Sequence, residues 1–176
     1  MTRSGGRALP ALLVLLAIVA GACGYRLQPE GKGRFADPSV RVDLSPFKND
    51  SADADAGAHI ASKLREELRR RGFQGEFGKL GADYLVEGRV REVREDVFSK
   101  ASDRFALENR LTLVVDIRVV DVRGGAVLWK DEGLSEIASY YAGPDAQYTE
   151  ANRRAAFEEN VRRVVLRMAQ TIRLIL

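Results

Sequence analysis

From Phe105 to Val119 the chain alternates with a period of two. Phe105, Leu107, Leu111, Leu113, Val115, Ile117 and Val119 fall on one parity, and Glu108, Arg110, Thr112, Asp116 and Arg118 on the other. A helix would scatter these residues around its axis, whereas a strand puts each set on one face. The run is far longer than the usual strand of about 5–6 residues. A strand of that length needs partners of similar length and a cover for its apolar face, and its ends are expected to project beyond the sheet.

The partners are visible on either side. Tyr84, Val86, Gly88 and Val90 alternate with Leu85, Glu87, Arg89 and Arg91, after which the apolar residues resume at Val93 and Val97. That slip of phase predicts a bulge near Arg91-Glu92. Gly124-Gly125 marks a turn, and Ala126 to about Tyr140, carrying Val127 and Trp129, returns as a hairpin partner. Ahead of these, Val40, Val42 and Leu44 alternate with Arg41, Asp43 and Ser45 as a first strand ended by Pro46.

Two segments carry the helical period. Ile60, Ala61, Leu64 and Leu68 make the stripe of a helix over about Ala54 to Arg71, with Asp53 and Asp55 as caps, Arg69-Arg70-Arg71 at its negative end and Gly72-Phe73 as its stop. The arginine triplet reads as a solvated last turn. The final helix, about Thr149 to Ile175 after the Gly143-Pro144-Asp145 loop, shows Phe157, Val161, Val164, Val165, Met168, Ile172 and Ile175 on one side. Its arginines at 153, 154, 162, 163, 167 and 173 fall mostly elsewhere, so it is expected to lie on the sheet, with Ile172 to Leu176 docked there. The expected fold is α+β: a two-layer α/β sandwich in which a four-stranded, mostly antiparallel sheet carries two helices on one face, in the order β-α-β-β-β-α.

The N-terminus says where such a domain works. Arg3 and Arg7 precede an uncharged stretch from Ala8 to Ala20, and small residues lead into Cys23, the chain's single cysteine. A cationic start, a short apolar core and small residues at a cleavage point form a secretory signal peptide. The core is shorter than the roughly 20 residues a spanning helix needs. Cysteine at the cleavage point resembles the lipobox of bacterial lipoproteins, with Ala20 where Leu is usual. The resemblance implies acylation of Cys23, and Gly24, rather than Asp, in the next position implies the outer membrane. The chain then divides into a signal peptide over 1–22, a lipidated N-terminus and short tether over 23–38, and a domain over 39–176. Gly31-Lys32-Gly33 and Pro38 mark the tether. With Cys23 acylated, no disulfide supports the core.

Catalysis finds little to work with. His59 is the one histidine, and the sequence has no G-x-S-x-G, no H-E-x-x-H and no pair of cysteines. Asp50, Asp53 and Asp55 resemble the start of a calcium loop, but Asp55 and Ala61 stand where its glycine and glutamate belong, so they read as caps. The expectation is no enzyme, no metal and no cofactor beyond the covalent lipid. The net charge of +3 loses Arg3 and Arg7 on cleavage, which leaves no steering toward nucleic acid.

Together these residues resemble the LptE family of outer-membrane lipopolysaccharide-assembly lipoproteins. The resemblance lies in Cys23-Gly24-Tyr25-Arg26-Leu27, in Val40-Arg41-Val42 followed by Pro46-Phe47-x-Asn49, and in Ala82-Asp83-Tyr84-Leu85-Val86-Glu87-Gly88. It continues in Val127-Leu128-Trp129 after the glycine pair, in Tyr140, and in the last helix with Ala155 and Ala156. It implies a non-catalytic partner that sits in the LptD β-barrel, helps it assemble and supports lipopolysaccharide delivery to the cell surface. It also implies lipopolysaccharide binding, for which Arg89, Arg91, Arg94, Arg110 and Arg118 are the candidates, since guanidinium groups on polar strand faces can meet phosphates bidentately. The alternative for these arginines is pairing with Glu87, Glu108 and Asp116 on the same faces. The alternative for the protein is an adaptor of another envelope machine, an activator of a peptidoglycan synthase or a secretin pilotin. Such activators usually carry a long tether, and here only a reach of about 50 Å, at roughly 3.3–3.6 Å per residue, separates Cys23 from the first strand.

Overall fold

The structure is a computed structural model and describes residues 33–99 and 108–176. The signal peptide, Cys23, the first part of the tether, Phe105 and Leu107 lie outside the described residues. A short 3-10 turn, Arg34–Ala36, is followed by β1 (Arg41–Asp43), β2 (Lys48–Asn49), helix α1 (Ala56–Arg70) and β3 (Glu76–Phe77). Then come the long strands β4 (Tyr84–Ser99), β5 (Glu108–Asp121) and β6 (Val127–Tyr141), and helix α2 (Ala146–Ile175).

Both helices cover one face, as the sequence predicts, but the sheet differs from the expected four strands. It has six strands in the order β3-β1-β4-β5-β6, with β2 also on β4, and it is mixed. β1 and β2 run parallel to β4, and β3 parallel to β1. Only β4, β5 and β6 form the antiparallel meander. Two short segments explain the difference. Pro46 interrupts the first strand without ending its path, so the chain rejoins β4 one step on, at Lys48 opposite Arg89. After α1 the chain makes a crossover, and Glu76-Phe77 adds an edge beside β1.

Around Pro46 the chain is held by the residues that follow it. The Phe47 ring lies across Gly88 of β4, so close that a Cβ there would fall 2.1 Å from a ring carbon. Asn49 ties down the approach to α1, its Nδ2 donating to the Asp53 and Ala54 carbonyls at 2.7 and 3.1 Å. The aspartates expected as caps do other work. Asp55 occupies the N-cap position with no side-chain bond to the helix. Asp50 instead pairs with Arg89 and Asp53 with Arg153. The stop of α1 is as expected: Gly72 has φ +95° and the Phe73 N–H donates back to the Leu68 carbonyl at 3.0 Å.

The predicted bulge is present. Val90 faces Val115 and Glu92 faces Val114, leaving Arg91 as the extra residue. It lets Val90 and Val93 both face the helices. The core joins Val86, Val90, Leu111, Leu113, Val115, Ile117 and Val119 to Ile60, Leu64 and Leu68 of α1 and to Val161, Val164, Met168 and Ile172 of α2. α2 starts three residues before its expected limit, because the Asp145 carboxylate caps it by accepting the Tyr148 N–H at 2.9 Å. Its end is docked, with Ile172 and Leu176 buried. Along the outer edge of β6, α2 also supplies side chains to main-chain carbonyls. Asn152 Nδ2 donates to Tyr141 O at 2.8 Å and Arg163 Nη1 to Ile137 O at 3.2 Å.

Candidate functional site

The face of the sheet turned away from the helices carries all five candidate arginines. Arg89, Arg91 and Arg94 come from β4, and Arg110 and Arg118 from β5. Cross-strand partners put Glu87 opposite Arg118 and Arg89 opposite Asp116, while Arg94 faces Thr112 and Asp96 faces Arg110. Part of this face, with the segment around Pro46, forms an open trough of about 680 Å³ lined by Glu87, Arg89, Asp116, Arg118, Lys130 and Glu132 among others, while Arg91, Arg94 and Arg110 lie outside its lining.

Four of the five arginines have carboxylate partners. Arg118 donates to Glu87 at 2.9 and 2.5 Å. Arg89 reaches Asp50 at 3.0 Å and Arg91 reaches Asp116 at 3.6 Å. Arg94 holds Asp96 at 2.9 Å and Glu92 at 3.3 Å, and Asp96 above all keeps its guanidinium above the usual range. Asp116 also accepts the Gly133 N–H at 2.8 Å, where a positive-φ glycine kinks β6. The expected pairing is therefore present at Glu87 and Asp116, whereas Glu108 takes no part in it among the described residues, and Asp50, Glu92 and Asp96 add to it. Arg110 differs from the other four. Its guanidinium carbon stands 3.1 Å from the centre of the Phe98 ring, and among the described residues it has no carboxylate partner.

On the helix-covered face lies a polar cluster that the sequence reading passed over. Glu95 accepts from the Tyr140 hydroxyl and from Arg153 Nε, each at 2.5 Å, and Arg153 also reaches Asp53 at 3.5 Å. Burial pushes the Glu95 carboxyl up, yet the Tyr140 and Arg153 bonds outweigh it and leave it below its ordinary range. Burial and the Glu95 bond push the Tyr140 hydroxyl up to about 12. A signal existed: Val93, Glu95 and Val97 share one parity, so the bulge that turns Val93 inward turns Glu95 inward too. Nearby, Asn160 of α2 is fully buried and donates to the Leu111 carbonyl at 2.8 Å. These groups join β4, β6, α2 and the loop before α1. They brace the domain, and they provide no nucleophile with an adjacent base.

Residues 40–173 match the LptE family, described as lipopolysaccharide-assembly. The chain belongs to that family. The match spans β1 to the last turn of α2, so it covers the whole sheet and both helices. Among solved structures, lipoprotein B from Nitrosomonas europaea aligns with a TM-score of 0.52 at 14% identity, over 77% of this chain and 83% of its own. Rare lipoprotein B from Shewanella oneidensis aligns at 0.49 and 13% identity, over 76% and 96% of the two chains. A minor lipoprotein from Acinetobacter baumannii gives 0.49 and 16%, over 76% and 95%. No curated protein matches the sequence. Membership makes the chain an outer-membrane lipoprotein of lipopolysaccharide assembly. Among the described residues no helix is long and apolar enough to cross a membrane.

Proposed function

We propose that this protein is anchored through acylated Cys23 and partners an LptD-type β-barrel, filling its lumen, supporting its assembly and aiding transport of lipopolysaccharide to the cell surface. The observation that carries the reading is the family match over the full sheet and both helices. The character of the open sheet face supports it. That face is broad, polar and charge-paired, so it can meet a water-filled polar lumen without burying bare charge. The domain faces the periplasm and the lumen, and it acts by binding.

Lipopolysaccharide contact is assigned to the same face. Arg110 ranks first, because among the described residues a phosphate approaching it displaces no carboxylate, whereas at Arg89, Arg91, Arg94 and Arg118 it competes with one. The test is affinity capture of the lipidated protein from detergent-solubilised outer membranes. A large β-barrel recovered near one-to-one supports the reading. A penicillin-binding protein or a secretin in its place overturns it and favours the adaptor role. With the barrel in hand, Arg110→Ala is expected to weaken lipopolysaccharide binding more than Arg89→Ala does.

A further inference from the structure

At one end of the domain the chain comes in from the tether, and that end has a surface of its own. Arg34 Nη1 donates to the Tyr84 hydroxyl at 2.7 Å at the start of β4. Tyr84 is opposite Asp121, and the Val122 N–H donates to the Asp83 carbonyl, so the β5–β6 turn lies alongside. The loop before β4 joins them, since Lys79 and Val122 line one small cavity of about 290 Å³. Both helices end here as well. The Phe35 N–H donates to the Leu176 carbonyl, and Phe73, just past α1, meets Phe35 edge-on.

Large apolar side chains stand in solvent at this end. Leu80 is 87% exposed, Leu174 78%, Val127 52% and Val122 50%. Single exposed apolar residues are ordinary, but several at one end, set among cations, mark an interaction surface. Of the carboxylates nearby, Glu67 is paired by Arg70 and Arg71, Glu76 by Arg41 and Asp83 by Arg123, while Asp37, Asp43 and Asp121 accept hydrogen bonds from Ser39, from Ser45 and from the Arg123 and Gly124 N–H groups. Lys79, Arg69 and Arg173 have no carboxylate partner among the described residues.

We propose that, until the barrel receives it, this end of the domain lies against the membrane surface, with Leu80 and Val122 in the interfacial layer and the surrounding cations on anionic headgroups. The inference rests on the acylation of Cys23 in the reading above. From Cys23 to Gly33 the chain reaches at most about 35 Å, at roughly 3.3–3.6 Å per residue. The domain is thereby confined near the lipid, with its tether-side end as the part closest to it. A bilayer interface is the partner that takes apolar side chains and cations together over a small area, and a second anchoring signal adds to the acyl chains.

Acylation occupies the only native cysteine, so an introduced one is a unique labelling site. The lipidated full chain is made with Leu80→Cys, Val122→Cys or, at the opposite end, Tyr148→Cys, and each is labelled with an environment-sensitive fluorophore. In vesicles of phosphatidylethanolamine and phosphatidylglycerol, labels at 80 and 122 are expected to shift to the blue and lose at least about half their emission to spin-labelled lipid. The label at 148 is expected to do neither. Vesicles that float with the protein while labels 80 and 122 behave as in water overturn the proposal and leave the anchor standing. A chain that does not float at all removes the anchor and the proposal with it. Labels that change only when the barrel is added assign the surface to protein and overturn the lipid contact. As a second reading, Leu80→Asp with Val122→Asp in a Cys23→Ser chain is expected to lower vesicle partitioning about tenfold with an unchanged circular-dichroism spectrum. Equal partitioning also overturns it.

Discussion

The two faces of the one sheet are built on opposite terms. The face under the helices is apolar nearly throughout, and its few polar groups run from the half-exposed Glu95 to the fully buried Asn160, whose Nδ2 is bonded while its Oδ1 has no partner among the described residues. On the outer face the charged residues of β4 and β5 stand among Leu85, Phe98, Thr112, Val114, Ile137 and Tyr141, and its guanidinium groups, Arg110 apart, are paired with carboxylates and open to water. The first face gives the domain its stability. The second is free to vary for a partner, because exposed ion pairs contribute little to folding. Folding and binding are thus separated across the thickness of a single strand.

The sharpest way to break that comparison is to cut the covered face. Leu113→Ala is expected to cost about 3 kcal/mol, which lowers Tm by roughly 10 °C in a domain of this size. A loss below about 1 kcal/mol by denaturant titration would contradict a continuous core there. Next in size comes Gly88→Ala, whose new methyl group runs into the Phe47 ring, at a cost of about 2 kcal/mol. Combined with Phe47→Ala it should cost less than the sum of the two single changes. Strict additivity in the double-mutant cycle would separate the two residues.

The third test uses pH. With its hydroxyl held near 12 against an unfolded value of about 10, Tyr140 is favoured protonated in the folded protein. Its contribution is whole below about pH 10 and fades as pH rises from there through 12. Melts of native and Tyr140→Phe protein should therefore keep a constant difference up to about pH 10 and converge above it. The smallest effect belongs to the outer face. Arg118→Ala and Glu87→Ala are each expected to change stability by less than about 0.5 kcal/mol. A larger change, read from the same melts, would show that the open face also helps to hold the fold.

The covered face was the more legible of the two. Period-two alternation named Leu111 to Val119 as a buried row, and the break between Val90 and Val93 located the bulge near Arg91-Glu92, where Arg91 is the extra residue. Gly72 marked the end of α1 for a backbone reason that sequence states directly. Strands β2 and β3 were not readable, because two residues carry no period and their parallel pairing depends on where α1 returns the chain. The start of α2 was missed for a related reason: Asp145 caps it, but its first turn is polar and adds nothing to the apolar stripe. On the outer face, parity placed all five arginines correctly. Their partners were only half readable. Glu87 and Asp116 lie in the same strands, whereas Asp50 comes from a loop and the Phe98 ring reaches Arg110 through a second break in register.

The carbonyls of Ile137 and Tyr141, already occupied by Arg163 and Asn152, limit how this protein can be joined to others. A strand arriving along β6 would find two of its acceptors taken and a long helix's side chains in its path. Neighbouring copies are thereby denied this stretch of β6 as a template for stacking edge to edge. Whatever docks there must read side chains, because the backbone is already engaged.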